Sequence, residues 1–194
     1  MADESAPMSS GVRDMLSDIY RFLHRISRFG VWICGGGFLL ISIGVFIEVL
    51  MRYLFQTKFS GSGELAGYIF AISTTWGFSY CLFEKTHVRI DFAYQHMPKP
   101  LQGVMDWLSL LSLLVFSVLL ASKAWMTFME SIEFSSMSTS ALQTPLWIPQ
   151  LAWAVGFIMF ALNAAFLVVY TGLLLLAGDR QAAAKVASIP STHE

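Results

Sequence analysis

Apolar residues in this chain fall into four long blocks, at about 29–50, 63–83, 107–126 and 148–177. At 1.5 Å per helical residue, roughly 20 residues cross the roughly 30 Å of a bilayer interior. Each block is therefore predicted to span a membrane as a helix. The fourth is the longest and is expected to tilt or run on into the interface. Pro98 and Pro100 break the pattern before the third block, and Pro145 and Pro149 break it before the fourth.

A different periodicity precedes the first block. Val12, Leu16, Ile19, Leu23 and Ile26 recur every three or four residues, with Met15 and Phe22 widening the stripe. Arg13, Asp14, Asp18, Arg21 and Arg25 lie elsewhere on the wheel. This predicts an amphipathic helix over 12–28 at the cytoplasmic membrane surface, its arginines toward anionic lipid. The alternative is a cytoplasmic extension of the first span, packed against a partner. Residues 1–11 are small and polar and are expected to be disordered. The transmembrane domain is expected over 29–177, with 178–194 as a tail.

Charge sets the orientation. Arg13, Arg21, Arg25 and Arg28 precede the first span, and Lys85, Arg89 and Lys99 lie between the second and third. Arg180 and Lys185 follow the fourth, whereas 127–147 has no Lys or Arg. The bias predicts both termini in the cytoplasm. Trp32 and Trp107 are expected in the inner interfacial belt, Trp125 and Trp147 in the outer. The chain has 194 residues, 56% hydrophobic and 13% charged, against about 25% charged in soluble domains. The net charge of −1, with no basic stripe, argues against nucleic acid as a partner.

The second span has the clearest internal pattern. Gly63, Gly67, Ala71, Thr75 and Ser79 recur every fourth residue and form a ridge of small side chains. Lipid offers no hydrophobic drive between helices, so such a ridge favours close packing on another helix, within this chain or in a partner. Ser62 is a candidate cap for this helix, and Glu64 suits its N-terminal end. Asp106 is expected at the start of the third span for the same reason.

Candidate chemistry is sparse. None of the four histidines, His24, His87, His96 and His193, lies in a predicted span, which argues against a haem-binding anchor. Cys34 and Cys81 sit in apolar blocks as small core residues, not as a metal cluster. No catalytic triad or phosphate loop is present, so neither an enzyme nor a cofactor is expected. Within the spans, the notable polar groups are Glu48 and Asn163. Glu48 stands one turn before Arg52, in the order that favours a self-neutralised pair; a coupling acid of a small carrier is the sharper alternative. Asn163, near the middle of the fourth span, must find a hydrogen-bond partner in hydrocarbon.

Arg52-Tyr53, Ser60, Glu64-Leu65-Ala66, Trp76-Gly77 and His87-Val88-Arg89-Ile90-Asp91 follow one another in a fixed order. Together with Ser140-Ala141-Leu142, Pro145-Leu146-Trp147 and Gly156, they resemble the small membrane subunit, DctQ-like, of tripartite ATP-independent periplasmic (TRAP) transporters. The likeness covers about residues 29–175. The family often has an aromatic residue and a second acid before Glu-Leu-Ala, where this chain has Gly61 and Gly63.

The resemblance implies an all-α integral membrane protein of the bacterial inner membrane that does not transport alone. A large multi-span permease subunit would carry the sodium and substrate sites, and a periplasmic solute-binding protein would deliver an organic acid, commonly a carboxylate. The small subunit would enlarge the static scaffold. Arg52, Tyr53, Glu64, the ridge residues, His87, Arg89 and Asp91 are then expected to meet the partner or membrane lipids. Asp91 is expected to cap a short helix or to hold His87. A self-sufficient carrier using Glu48 is the competing expectation.

Overall fold

The computed structural model describes residues 10–56, 61–84, 99–140 and 142–178. Four helices account for nearly all of them: α1 (Ser10–Phe55), α2 (Ser62–Phe83), α3 (Lys99–Glu133) and α4 (Trp147–Leu176). α2 packs between α1 and α4, and α3 packs on the remaining side of α4. Among the described residues, three helices are long and apolar enough to cross a membrane: α1, α3 and α4. α2 has 22 residues but carries Ser73, Thr74, Thr75 and Ser79, which lower its apolarity.

α1 runs unbroken for 46 residues, about 69 Å, more than twice a bilayer interior. The expected boundary near residue 28 is therefore not a break in the helix. The physical reason is local. No proline lies between Val12 and Phe55, and Gly30 and Gly35-Gly36-Gly37 remain helical because nothing there offers an alternative cap. The amphipathic stripe is also partly used by the chain itself. Leu16 is buried with Tyr170 and Leu174 of α4, and Tyr20 and Leu23 pack on the core around Phe83. Met15 and Phe22, on the flank of the stripe, remain exposed.

α3 begins at Lys99, eight residues before the expected start of its span. Pro100 causes no break there, because it lies in the first turn, where helical N–H groups have no partner in any case. Asp106 consequently sits two turns inside the helix, 3% exposed, and not at its N-terminal end. α4 matches the expected block to within a residue at each end, with Pro149 in its first turn.

The core lies along α4. Leu82 and Phe83 of α2, Leu110 of α3, and Phe160, Ala164, Leu167 and Val168 of α4 form its main cluster. Ala121 and Ala124 of α3 meet Ala154 and Phe157 nearer the other end. Two indoles lock α4 to its neighbours. Trp107 Nε1 donates to the carbonyl of Val168 at 3.1 Å, beside Gly172, and so ties α3 to α4. Trp76 Nε1 donates to the carbonyl of Ala152 at 3.3 Å. By contrast, only 6% of the most apolar window of α1 is buried, against 44% for α4.

Candidate functional site

The small-residue ridge of α2 divides into two halves. Thr75 and Ser79 are fully buried within the chain. Thr75 meets Gly156 of α4 so closely that no Cβ could be added there. Ala71 is half-buried. Gly63 and Gly67 are exposed, and a Cβ built on either meets nothing within 4 Å. The C-terminal half of the ridge therefore builds this chain's own bundle, and the N-terminal half is left uncovered.

α1 lies antiparallel to α2 and diverges from it along the way. Gly30, Gly37 and Gly44 share one face of α1 at intervals of seven residues. A Cβ on Gly30 would collide with the Trp76 ring; on Gly37 it would lie 3.8 Å from Ile69; on Gly44 it would meet nothing. The gap that opens is an apolar groove of about 510 Å³, lined by Phe38, Ile41, Ser42 and Val45 of α1 and Ala66, Gly67 and Phe70 of α2.

Polar groups mark both ends of this helix pair. At the narrow end, His24 Nε2 lies 3.0 Å from Glu84 Oε1, with the imidazole stacked on Tyr80 at 6.1 Å and close to Phe83. At the wide end, Arg52 Nη2 contacts Glu48 Oε1 at 2.5 Å. The two partners differ sharply in environment: the Arg52 side chain is 57% exposed and that of Glu48 only 7%. Glu48 Oε2 is buried without a hydrogen-bond partner. Tyr53, next to Arg52, points outward and is 83% exposed.

Glu64 is a fastener. Tyr68 donates to its Oε1 at 2.5 Å, and Ser140 Oγ donates to its Oε2. Ser140 belongs to the α3–α4 connection, which is stiffened by an isolated antiparallel bridge between Met137 and Pro145 and by Ser138 N–H donating to the Thr144 carbonyl at 2.9 Å. Gly61, not Ser62, occupies the position before α2, with φ 152°, and Leu142 packs so closely that a Cβ at Gly61 would lie 2.6 Å from it. Ser62 is the first residue of the helix and makes no capping bond.

In the bundle interior, Asn163 Nδ2 donates to Ser27 Oγ at 3.2 Å, both residues having zero exposure. This joins α4 to α1. The Asn163 Oδ1 and Ser79 Oγ atoms are buried without a partner. His87, Arg89 and Asp91 lie outside the described residues. The His24–Glu84 pair escaped the sequence reading because its members are 60 positions apart and become neighbours only once α1 continues past residue 28.

An α-helical bundle with three helices long and apolar enough to cross a membrane, one of them poorly covered, has the build of a membrane-embedded protein. The family model described as "Tripartite ATP-independent periplasmic transporters, DctQ component" matches residues 41–174, and the chain belongs to that family. No curated protein and no solved structure matches. Family membership makes the chain the small membrane component of a TRAP transporter.

Proposed function

We infer that this chain is a scaffold for the large transport subunit of a sodium-coupled, binding-protein-dependent carrier of organic acids, and does not itself carry substrate. The observation that bears most weight is the near-total exposure of the apolar face of α1. Phe29, Trp32, Leu39, Leu40 and Phe46 are each at least 66% exposed. A 46-residue helix with so little intrachain cover suits a subunit built to add surface to a larger one. Family membership supports a large DctM subunit and a periplasmic binding protein as the partners.

In this reading α2 is the fourth span, both termini are cytoplasmic, and the location is the bacterial inner membrane. The lysine and arginine bias of the connections supports that orientation. Arg52, Tyr53, Gly63 and Gly67 then form a membrane-facing edge at the periplasmic side. Glu64 helps hold the α3–α4 connection in place. Specificity for the solute resides in the other two components.

Co-purification in mild detergent tests the assignment. The large permease subunit is expected to elute with this chain in stoichiometric amount, and replacing Leu39 and Leu40 together with Ser should lower its recovery. Recovery of this chain without any permease would count against a scaffold role. The buried, half-paired Glu48 favours one rival, a self-sufficient carrier with Glu48 as coupling acid. Glu48→Gln separates the two: the rival requires uptake to vanish while assembly persists.

A further inference from the structure

We propose that the bilayer meets this bundle along an oblique band, set toward the C-terminal halves of both α1 and α4. The helices then cross the membrane at about 35° to its normal.

The apolar blocks are out of step where the helices touch. Asn163 stands at the middle of the α4 block, and its amide donates to Ser27, which lies just before the α1 block begins. The middle of the α1 block, near Leu40, is therefore about 13 residues, or about 20 Å, further along the bundle than the middle of the α4 block. α2 falls between the two. Ser73, at the middle of its block, reaches the Cys34 carbonyl at 3.5 Å, about six residues short of Leu40. α3 keeps step with α4. Gly103 lies against Leu175, and Ala121 and Ala124 pack with Ala154 and Phe157, which sets the middle of the α3 block, near Phe116, close to Leu162. The shift thus grows in the order in which the helices pack, from α3 and α4 through α2 to α1.

Polarity at equal heights shows the same offset. Beside Ser27, α1 exposes Arg25 and Arg28. At that height and below, α4 from Asn163 to Leu176 carries no charge and exposes Val169 and Leu176 at 58% and 83%. At the opposite end, α1 runs on past Val45, the last of its residues to line the gap against α2, and exposes Phe46, Val49, Leu50, Leu54 and Phe55. Level with that stretch stands the α3–α4 connection, which packs Leu142 on Gly61 and carries Ser135, Ser136, Ser138, Ser140 and Thr144. An upright bundle centred on α4 would set Arg25 and Arg28 near the bilayer centre, where a charged side chain is expensive. Centred on α1, it would leave about 20 Å of apolar α4 in water. An oblique band avoids both.

The lengths agree. A shift of about 20 Å across three helix spacings of about 8–10 Å each gives a tilt of about 35°. A helix at that angle needs about 24 residues to cross about 30 Å of hydrocarbon. α4 offers 30, none of them charged. α1 runs from Phe29 to Phe55, with its Glu48 and Arg52 paired. The band sets the depth of each helix, whatever part of it a partner subunit covers. It rests on the chain lying in a membrane and not on the scaffold reading, so uptake by this chain alone would end that reading and leave the tilt untouched.

Pairs of exposed positions at equal height test the band in the full chain, with Cys34 and Cys81 replaced by Ser, in bilayers of phosphatidylethanolamine and phosphatidylglycerol. Phe22 of α1 stands level with Val169 of α4, near the contact of Leu16 with Tyr170 and Leu174. Phe46 of α1 stands level with Phe134, just after α3, and all four residues are at least 58% exposed. Spin labels are attached one at a time through Phe22→Cys, Val169→Cys, Phe46→Cys and Phe134→Cys. A water-soluble nickel complex should reach the labels at 22 and 134 about tenfold more readily than those at 169 and 46, which oxygen should reach instead. Equal accessibility within each pair would overturn the proposal. So would a label at 169 shielded from both nickel and oxygen, the sign of cover by a second copy of this chain. Polarised infrared spectroscopy of the unaltered chain in oriented bilayers needs no variant. A mean helix tilt of about 35° is expected, and one of about 20° or less would contradict the band.

Discussion

Trp76 of α2 lies against the backbone of Gly30 on α1 while its indole N–H donates to the Ala152 carbonyl on α4 at 3.3 Å. One side chain therefore joins three helices. Gly156 completes the seat, with Thr75 and Trp76 both pressed on it. Trp76→Ala should lower stability by about 3 kcal/mol through the cavity and the lost hydrogen bond. Gly156→Leu should cost about 1–3 kcal/mol by overpacking. Gly63→Ala, facing open space, should be neutral or slightly stabilising. Thermal unfolding in detergent checks all three, and equal effects at Gly63 and Gly156 would count against this packing.

The Ser27–Asn163 hydrogen bond is the one direct side-chain link from the interior of α4 to α1 among the hydrogen bonds described. Ser27→Ala strands the amide and should cost about 1–2 kcal/mol. With Asn163→Leu already present, the same Ser27 change should cost much less, since no amide remains to be stranded. Additive effects in a double-mutant cycle would show that the two groups do not interact.

The unbroken course of α1 is open to a distance measurement. Spin labels at the exposed positions Met15 and Leu40 should lie about 38 Å apart along a straight helix. A right-angled turn near residue 28 would bring them to about 26 Å. The longer distance in lipid nanodiscs is the expected outcome.

Glu64 restrains the α3–α4 connection through Ser140. Glu64→Gln keeps the shape but replaces a charge-accepting oxygen with an amide, and Glu64→Ala removes both bonds. Limited proteolysis between Phe134 and Leu146 should be faster in Glu64→Ala than in the parent, with Glu64→Gln between them. Identical cleavage rates would remove the restraint from the account.

The sequence made some of this legible and not the rest, for physical reasons. α4 could be bounded because Pro145 and Pro149 punctuate an otherwise continuous apolar run, and α2 because Gly61 precedes it and charge follows it. α1 could not be divided correctly. Periodicity over 12–28 gives the direction of an apolar face but not whether the helix stops, and no breaker lies at the suspected boundary. Pro100 misled in the opposite direction, since a proline before a helix and a proline in its first turn look alike in sequence. The ridge spacing from Gly63 to Ser79 could not say that Thr75 and Ser79 would be buried within the chain, Thr75 against Gly156, while Gly63 and Gly67 stay exposed. Glu48 and Arg52 were visible as an i,i+4 pair, whereas the burial of one and exposure of the other depend on the divergence of α1 from α2.

Reconstituted uptake tests the central claim most directly. Proteoliposomes holding this chain, its large permease subunit and the binding protein should take up a carboxylate in a sodium-dependent manner, and liposomes holding this chain alone should take up none. Sodium- or proton-driven uptake by this chain alone would contradict the account.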